Sequence, residues 1–206
     1  MPDPSDIRVG VLRIEGTNCE DESALAFSSL GCNTEKVHLK QLIGEVERSE
    51  RRDIMDFDAL YFPGGFSSGD YVRAGAIFAS RVKSGLKSQV DEYINDGRPI
   101  LGVCNGFQIL CEAGILPGAL ISNRELQFRC KWVNLQEANK ETLFSSEIKP
   151  NSILKIPISH GEGNYQVDPN TLTEIENTKK VVFRYCGADG KIDSASNPNG
   201  SINNIA

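Results

Sequence analysis

The segment Ile100-Leu101-Gly102-Val103-Cys104-Asn105-Gly106-Phe107-Gln108-Ile109-Leu110 sets a nucleophile-type residue at the end of an apolar run. Glycines stand two positions before and two after it, and the chain passes straight into the apolar start of a helix. A sharp strand-to-helix turn of this kind strains the residue at its apex and brings neighbouring backbone so close that side chains at 102 and 106 would collide. The positive end of the following helix favours thiolate over thiol, lowering a pKa that is about 8.5 in free cysteine, while burial acts the other way. Cysteine is also among the residues most often buried as a small hydrophobe, so on this segment alone a nucleophile and a core residue stand level.

A second segment shifts the balance. Ile158-Ser159-His160-Gly161-Glu162-Gly163-Asn164-Tyr165 places one of only two histidines beside a strand end, with a carboxylate two residues on. In extended chain, residues 160 and 162 point to the same side, so Glu162 can reach His160, fix its tautomer and support its positive charge. The competing reading is a turn histidine satisfied by backbone. His38, in a strand-like run with no acidic residue at the second position after it, suits that reading better. The third segment, Phe62-Pro63-Gly64-Gly65-Phe66-Ser67-Ser68-Gly69-Asp70-Tyr71, leaves another strand end. Adjacent glycines let backbone N–H groups converge on one point and hold an oxyanion, and an ordinary loop or a phosphate cradle would use the same freedom. The nucleotide-binding pattern G-x-x-x-x-G-K-[ST] occurs nowhere in the chain, so no nucleotide site is indicated.

These segments need elements to hold them. Residues 7–14 read as a strand, followed by a turn at Gly16-Thr17-Asn18 and a helix carrying Ala24, Leu25, Phe27 and Leu30 that closes at Gly31. Short apolar runs around Val37-His38-Leu39 and over 59–62 begin second and third units. Residues 82–95 read as one helix closing at Gly97, and 99–103 as a doubly covered strand at the centre of the sheet. Strands alternating with helices imply parallel neighbours joined by helical crossovers. From Gln127 the texture changes to strand-like pieces over 128–133, 153–158 and 181–185, with a turn at 187–190 suited to a hairpin. The expected fold is α/β in a single domain over 1–206: a mostly parallel sheet flanked by helices, with added antiparallel strands in the C-terminal half. No internal repeat or Pro/Gly-rich linker divides it.

Composition narrows the partners. The 206 residues are 39% hydrophobic, enough to bury a core, and 22 basic against 28 acidic side chains give a net charge of −6. A phosphate backbone or an anionic bilayer would on balance be repelled, so neither nucleic acid nor membrane is expected. No stretch approaches the roughly 20 apolar residues of a membrane span, and residues 1–6 lack the basic and apolar parts of a signal peptide. A cytoplasmic protein is expected. Its six scattered cysteines are then free thiols. With no C-x-x-C pair and two histidines, no metal site is expected. Asn199-Gly200-Ser201 formally matches a glycosylation acceptor and reads as a turn.

Gly102-Val103-Cys104-Asn105-Gly106-Phe107-Gln108, the loop from Pro63 through Gly75 and His160-Gly161-Glu162-Gly163 together resemble the class I (triad) glutamine amidotransferases. Within that class the pattern is most similar to the glutaminase subunits of phosphoribosylformylglycinamidine synthase, in purine biosynthesis. Asn105, Phe107 and the Gly-Asp-Tyr loop are the subfamily marks, and the likeness runs over 7–205, including Gly16-Thr17-Asn18-Cys19 and Asn197-Pro198-Asn199-Gly200-Ser201. The resemblance implies a flavodoxin-like sheet, Cys104 as nucleophile, His160 as acid/base and Glu162 as its orienter. It also implies oxyanion donors at the backbone of Gly65 and Asn105, with Gly64 beside them and Gln108 lining the glutamine pocket. Ser68 stands where an aromatic is common, and the sequence ends at Ala206 where such proteins continue through another strand to a His-Pro-containing tail, so the domain is expected to be clipped there.

The implied partners are L-glutamine, a synthetase subunit that uses ammonia, and a small accessory subunit. No cofactor is implied on this chain; ATP and Mg are expected on the synthetase. Another Cys-His-Glu amidase or peptidase of the same fold, or a non-catalytic binding module, would share the architecture.

Overall fold

The computed structural model describes residues 3–149 and 152–206; Met1 and Pro2, part of the segment read against a signal peptide, lie outside them. The chain divides into two compact units, Met1–Leu116 and Pro117–Ala206.

The first unit carries β1 (Arg8–Arg13), α1 (Glu20–Ser29), β2 (Asn33–His38), α2 (Leu39–Leu42), β3 (Ala59–Phe62), α3 (Ala76–Gly85), α4 (Lys87–Asn95), β4 (Ile100–Gly102) and α5 (Asn105–Glu112). The strands form a parallel sheet in the order β2-β1-β3-β4, the doubly wound arrangement whose loops at the carboxyl ends of the strands are where sites are built. Helix α1 packs on β1 and β2, and α5 on β3 and β4. The core is aromatic as well as aliphatic. Phe57, Phe62, Phe78 and Tyr93 are all but fully buried, each contributing roughly 1.5–3 kcal/mol of transfer free energy, and the Tyr93 hydroxyl donates to the Phe57 carbonyl at 3.1 Å. Phe62 packs against Phe78, which anchors the end of β3 just where the chain leaves for the glycine pair.

Two sequence readings are corrected here. The stretch 82–95 is two helices, because Leu86 (φ −129°, ψ 2°) breaks the helical path to bury its side chain in the core. The run at 99–103 supplies the last strand of the sheet, half-buried along its length, while β1 and β3 take the inner places. Its apolar character reflects helix α5 packed on it rather than a central position.

The second unit holds β5 (Ala119–Ile121), β6 (Arg129–Glu137), β7 (Ile153–His160), β8 (Asn164–Gln166), α6 (Pro169–Asn177) and β9 (Phe183–Cys186). β6 pairs antiparallel with β7 and β9 around a small core of Val133, Leu135, Ile158 and Tyr185, and β5 pairs antiparallel with β8. β6, β7 and β9 are the antiparallel strands expected from the texture after Gln127, whereas β5 and β8 are not among those expected. The turn at 187–190 closes a hydrogen bond from Gly190 N to Gly187 O, but the chain after it forms no return strand, so there is no hairpin. Helix α6, which the sequence reading omitted, starts at a recognisable signal. Asp168 accepts from the backbone N–H of Asn170 and Thr171 with Pro169 at the first helical position, a cap contributing about 1 kcal/mol.

Candidate active site

In the first unit, the register Phe62↔Gly102 sets the exits of β3 and β4 side by side. Val103 N donates to Phe62 O at 3.2 Å, and the next residue, Cys104, turns to φ 55°, ψ −113° before α5 begins. A non-glycine residue there is strained and must be held by its surroundings. The bracketing glycines show why. A Cβ at Gly102 would lie 2.6 Å from Gly106 O, and one at Gly106 would fall on the Phe62 carbonyl oxygen. The elbow inferred from the spacing is therefore present, and the two glycines are required by backbone approaching backbone.

Gly65 and Asn105 meet at the sulfur. Burial desolvates the Cys104 thiol and raises its pKa above the ordinary thiol value, while the backbone N–H groups of Asn105 and Gly65 hydrogen-bond the sulfur and pull it back down; the nearby Asp70 carboxyl adds to the rise. Burial wins, although the residue keeps solvent access. Two N–H donors converging on the sulfur can equally hold negative charge on an oxygen bonded beside it. Alkylation of Cys104 by iodoacetamide is accordingly expected to rise with pH through a midpoint above that of a free thiol; a midpoint below it would mean that the donors outweigh burial. Mass spectrometry of the labelled peptide reads this directly.

Several polar side chains hold this geometry, and most were not singled out from sequence. The buried Asn105 side chain accepts from Ser67 N at 3.3 Å and Ser67 Oγ at 2.6 Å, and donates to Gln108 Oε1 at 2.9 Å and Asp70 Oδ1 at 3.3 Å. It thus ties the loop after Gly65 to α5. Gln108 is buried in this network. From the other side, Asn18 Oδ1 accepts from Phe66 N at 2.9 Å, and a bridge joins Thr17 to Gly65, which explains why the turn after β1 carries the pattern Gly-Thr-Asn. Gly64 lies between two cysteine side chains: a Cβ there would be 3.4 Å from Cys104 Cβ and 3.7 Å from Cys19 Sγ. Beyond the loop, Tyr71 and Val72 are 90% and 76% exposed, too much apolar surface to be explained by this unit's own packing.

In the second unit, His160 ends β7 opposite Arg129 of β6. Its ring lies so close to Gly163 that a Cβ there would be 2.2 Å from Cε1 and 2.4 Å from Nδ1. Burial lowers its pKa below the usual histidine value, opposed by a hydrogen bond of its own backbone. Nδ1 faces Asn123 Oδ1 at 3.1 Å, so a tautomer-fixing contact that the sequence reading gave to Glu162 is made here by Asn123. Nε2 is shielded and has no hydrogen-bond partner among the described residues. The loop 161–164 is pinned from both sides. Asn123 binds one side of it, while Asn199 Nδ2 and Ser201 Oγ donate to Gly163 O at 2.7 and 3.1 Å. Asn199 is therefore buried and engaged, in keeping with its reading as a turn residue. His38 takes the structural role expected of it: its Nδ1 accepts from Lys40 N at 3.2 Å and caps α2.

A family model described as a CobB/CobQ-like glutamine amidotransferase domain matches residues 6–206. The phosphoribosylformylglycinamidine synthase subunit PurQ of Archaeoglobus fulgidus is 43% identical over 99% of this chain and 82% of its own length. The subunit of the same name from Moorella thermoacetica is 42% identical over 97% of the chain and 80% of its own length. Among solved structures, that of PurLQS from Thermotoga maritima superposes with a TM-score of 0.75 at 31% identity, covering 97% of this chain and 80% of that one.

Proposed function

The chain belongs to the CobB/CobQ-like glutamine amidotransferase family and, within it, to the PurQ subunits of phosphoribosylformylglycinamidine synthase, and from that premise we propose how its residues release ammonia from L-glutamine for a synthetase partner in purine biosynthesis. The observation that carries the reading is the strained Cys104 elbow with the N–H groups of Gly65 and Asn105 directed at its sulfur.

His160 takes the proton of the Cys104 thiol as the sulfur attacks the side-chain amide carbon of glutamine, and the carbonyl π pair moves onto oxygen, where the N–H groups of Gly65 and Asn105 stabilise it. Gly64 gives the oxygen room to approach. Collapse breaks the C–N bond, His160 supplies the proton with which the nitrogen leaves as ammonia, and a glutamyl thioester remains. His160 then removes a proton from water, hydroxide adds to the thioester, and glutamate departs with regeneration of the thiolate. Glu162 is the carboxylate that stabilises His160 when it is positively charged, and Gln108 shapes the pocket for the glutamine side chain. No cofactor takes part on this chain.

The ammonia goes to a synthetase subunit that carries ATP and magnesium, in an assembly with a small accessory subunit. The solved structure of PurLQS from Thermotoga maritima supports an assembly of this kind. Among the described residues no helix is long and apolar enough to cross a membrane, and we place the reaction in the cytoplasm with the rest of its pathway. The loop 69–75, with exposed Tyr71 and Val72, is the surface through which the partner acts; Asn164, in the segment after Glu162, is buried and donates to Ser122 O at 3.3 Å, so it offers no such surface.

An unregulated glutaminase would waste glutamine, so control at the partner is expected. Steady-state ammonia release at saturating glutamine should rise at least about tenfold when the synthetase is present with its substrate and nucleotide, which requires only about 1.4 kcal/mol of added transition-state stabilisation. Full activity of the chain alone, unchanged by the partner, would instead identify a free-standing amidase. Absence of ammonia release in both arms would identify a non-catalytic module.

A further inference from the structure

Asn123 is buried to 0% exposure between β5 and β6, 37 positions from His160 in sequence, and spends every polar atom on the histidine loop or its own turn. Its backbone N–H donates to Gly161 O at 2.9 Å. Its Nδ2 donates to Gln127 O at 2.8 Å and His160 O at 2.9 Å. Its Oδ1 accepts from Gly163 N at 3.1 Å and lies 3.1 Å from His160 Nδ1.

The orientation of this amide follows from its partners. Turned over, the oxygen would face two carbonyls and the NH2 group would face the Gly163 N–H, three repulsive contacts in a buried site. With Oδ1 fixed as the acceptor, His160 Nδ1 must carry the hydrogen, and the neutral ring keeps its lone pair on Nε2. That is the nitrogen left without a partner among the described residues. A neutral amide oxygen can select this tautomer without also stabilising imidazolium as a carboxylate would, and burial keeps the resting ring neutral. Arg129, the register partner of His160, is engaged with Glu125 at 2.8 Å, and Glu162 lies two residues on.

We propose that Asn123 is a positioning residue that holds His160 in its Nδ1–H tautomer and so presents Nε2 as the proton acceptor. The proposal rests on His160 being the acid/base of the reaction above, and its test separates the two.

The chain has only two histidines, so the imidazole 15N spectrum of the full chain labelled at histidine is simple to assign, with His38→Gln removing one set of signals. His38 is an internal reference, because its Nδ1 accepts from Lys40 N and it must be the Nε2–H tautomer. The expected spectrum of the unmodified chain shows His160 as the opposite tautomer, with Nδ1 protonated. Asn123→Asp, which keeps an acceptor toward Nδ1 and adds a negative charge but sets its second oxygen against the Gln127 and His160 carbonyls, should lower stability while keeping that tautomer and raising the His160 pKa by about one unit or more. The acidic limb of the glutaminase pH profile in the partnered complex should move up with it. Asn123→Ala should release the tautomer and lower kcat by roughly 10²–10⁴-fold, the scale of a tautomer error in a hydrolytic triad.

Finding His160 as the Nε2–H tautomer in the unmodified chain would overturn the proposal, as would an unmoved pH profile and pKa in Asn123→Asp. Should either variant not fold, the tautomer of the unmodified chain still decides. If the tautomer changes in Asn123→Ala while ammonia release persists, Asn123 keeps its positioning role and the assignment of His160 as acid/base falls.

Discussion

Cys104→Ala is expected to lower glutamine-dependent ammonia release by roughly 10⁴–10⁶-fold, the scale on which hydrolases lose rate when a covalent nucleophile is removed. The loss should be in kcat, because the backbone N–H groups of Gly65 and Asn105 and the glutamine pocket do not depend on the sulfur. The fold should persist: alanine is smaller, and φ 55° strains it no more than cysteine. In the assembled complex, synthesis driven by added ammonia should continue at its normal rate, since the nucleophile serves only to generate ammonia. The same experiment has a labelling counterpart. A diazoketone analogue of glutamine should modify Cys104 and leave the other five cysteines untouched, including Cys19, whose thiol burial pushes above the ordinary range. Residual activity above about a tenth of normal, or preferential modification of Cys19, would remove Cys104 from the nucleophile's place.

Gly106→Ala should have the largest effect on the fold of any single methyl group added at the site. Its Cβ would fall on the Phe62 carbonyl oxygen, and Phe62 cannot retreat because its ring is locked against Phe78 in the core. The obstacle is backbone, so no rotamer change relieves it; β3 and α5 must move apart. A loss of about 3–5 kcal/mol is expected, in the range of severe core overpacking, with the apparent Tm falling by roughly 10 °C. Activity should fall as well, because the same movement carries the Asn105 N–H away from the Gly65 N–H. Thermal melting followed by circular dichroism measures the first effect, and a change under 1 kcal/mol would mean that the elbow has slack that its close contacts do not suggest.

The sequence by itself determined the kind of fold and the backbone demands of the Cys104 elbow. The alternation of strand and helix over the first 116 residues specified a parallel sheet, because parallel neighbours need crossovers. The glycines at 102 and 106 announced the elbow, because only a residue without Cβ survives backbone at that distance. The adjacent glycines at 64 and 65 marked the partner loop for a related reason. Local chemistry of this sort is legible because its cause lies within a few residues.

Tertiary structure alone decided what depends on distant neighbours. The break at Leu86 is invisible in a pattern whose apolar positions continue through it, and arises because that side chain is drawn into a core assembled from other elements. The apolar run of β4 looked central because burial by helices and burial by neighbouring strands leave the same signature in sequence. Asn123 carried no signal at all. A neutral asparagine in a polar turn is ordinary until the chain folds, and only the pairing of β6 with β7, which returns His160 to that turn across 37 residues, gives its amide oxygen an imidazole to orient.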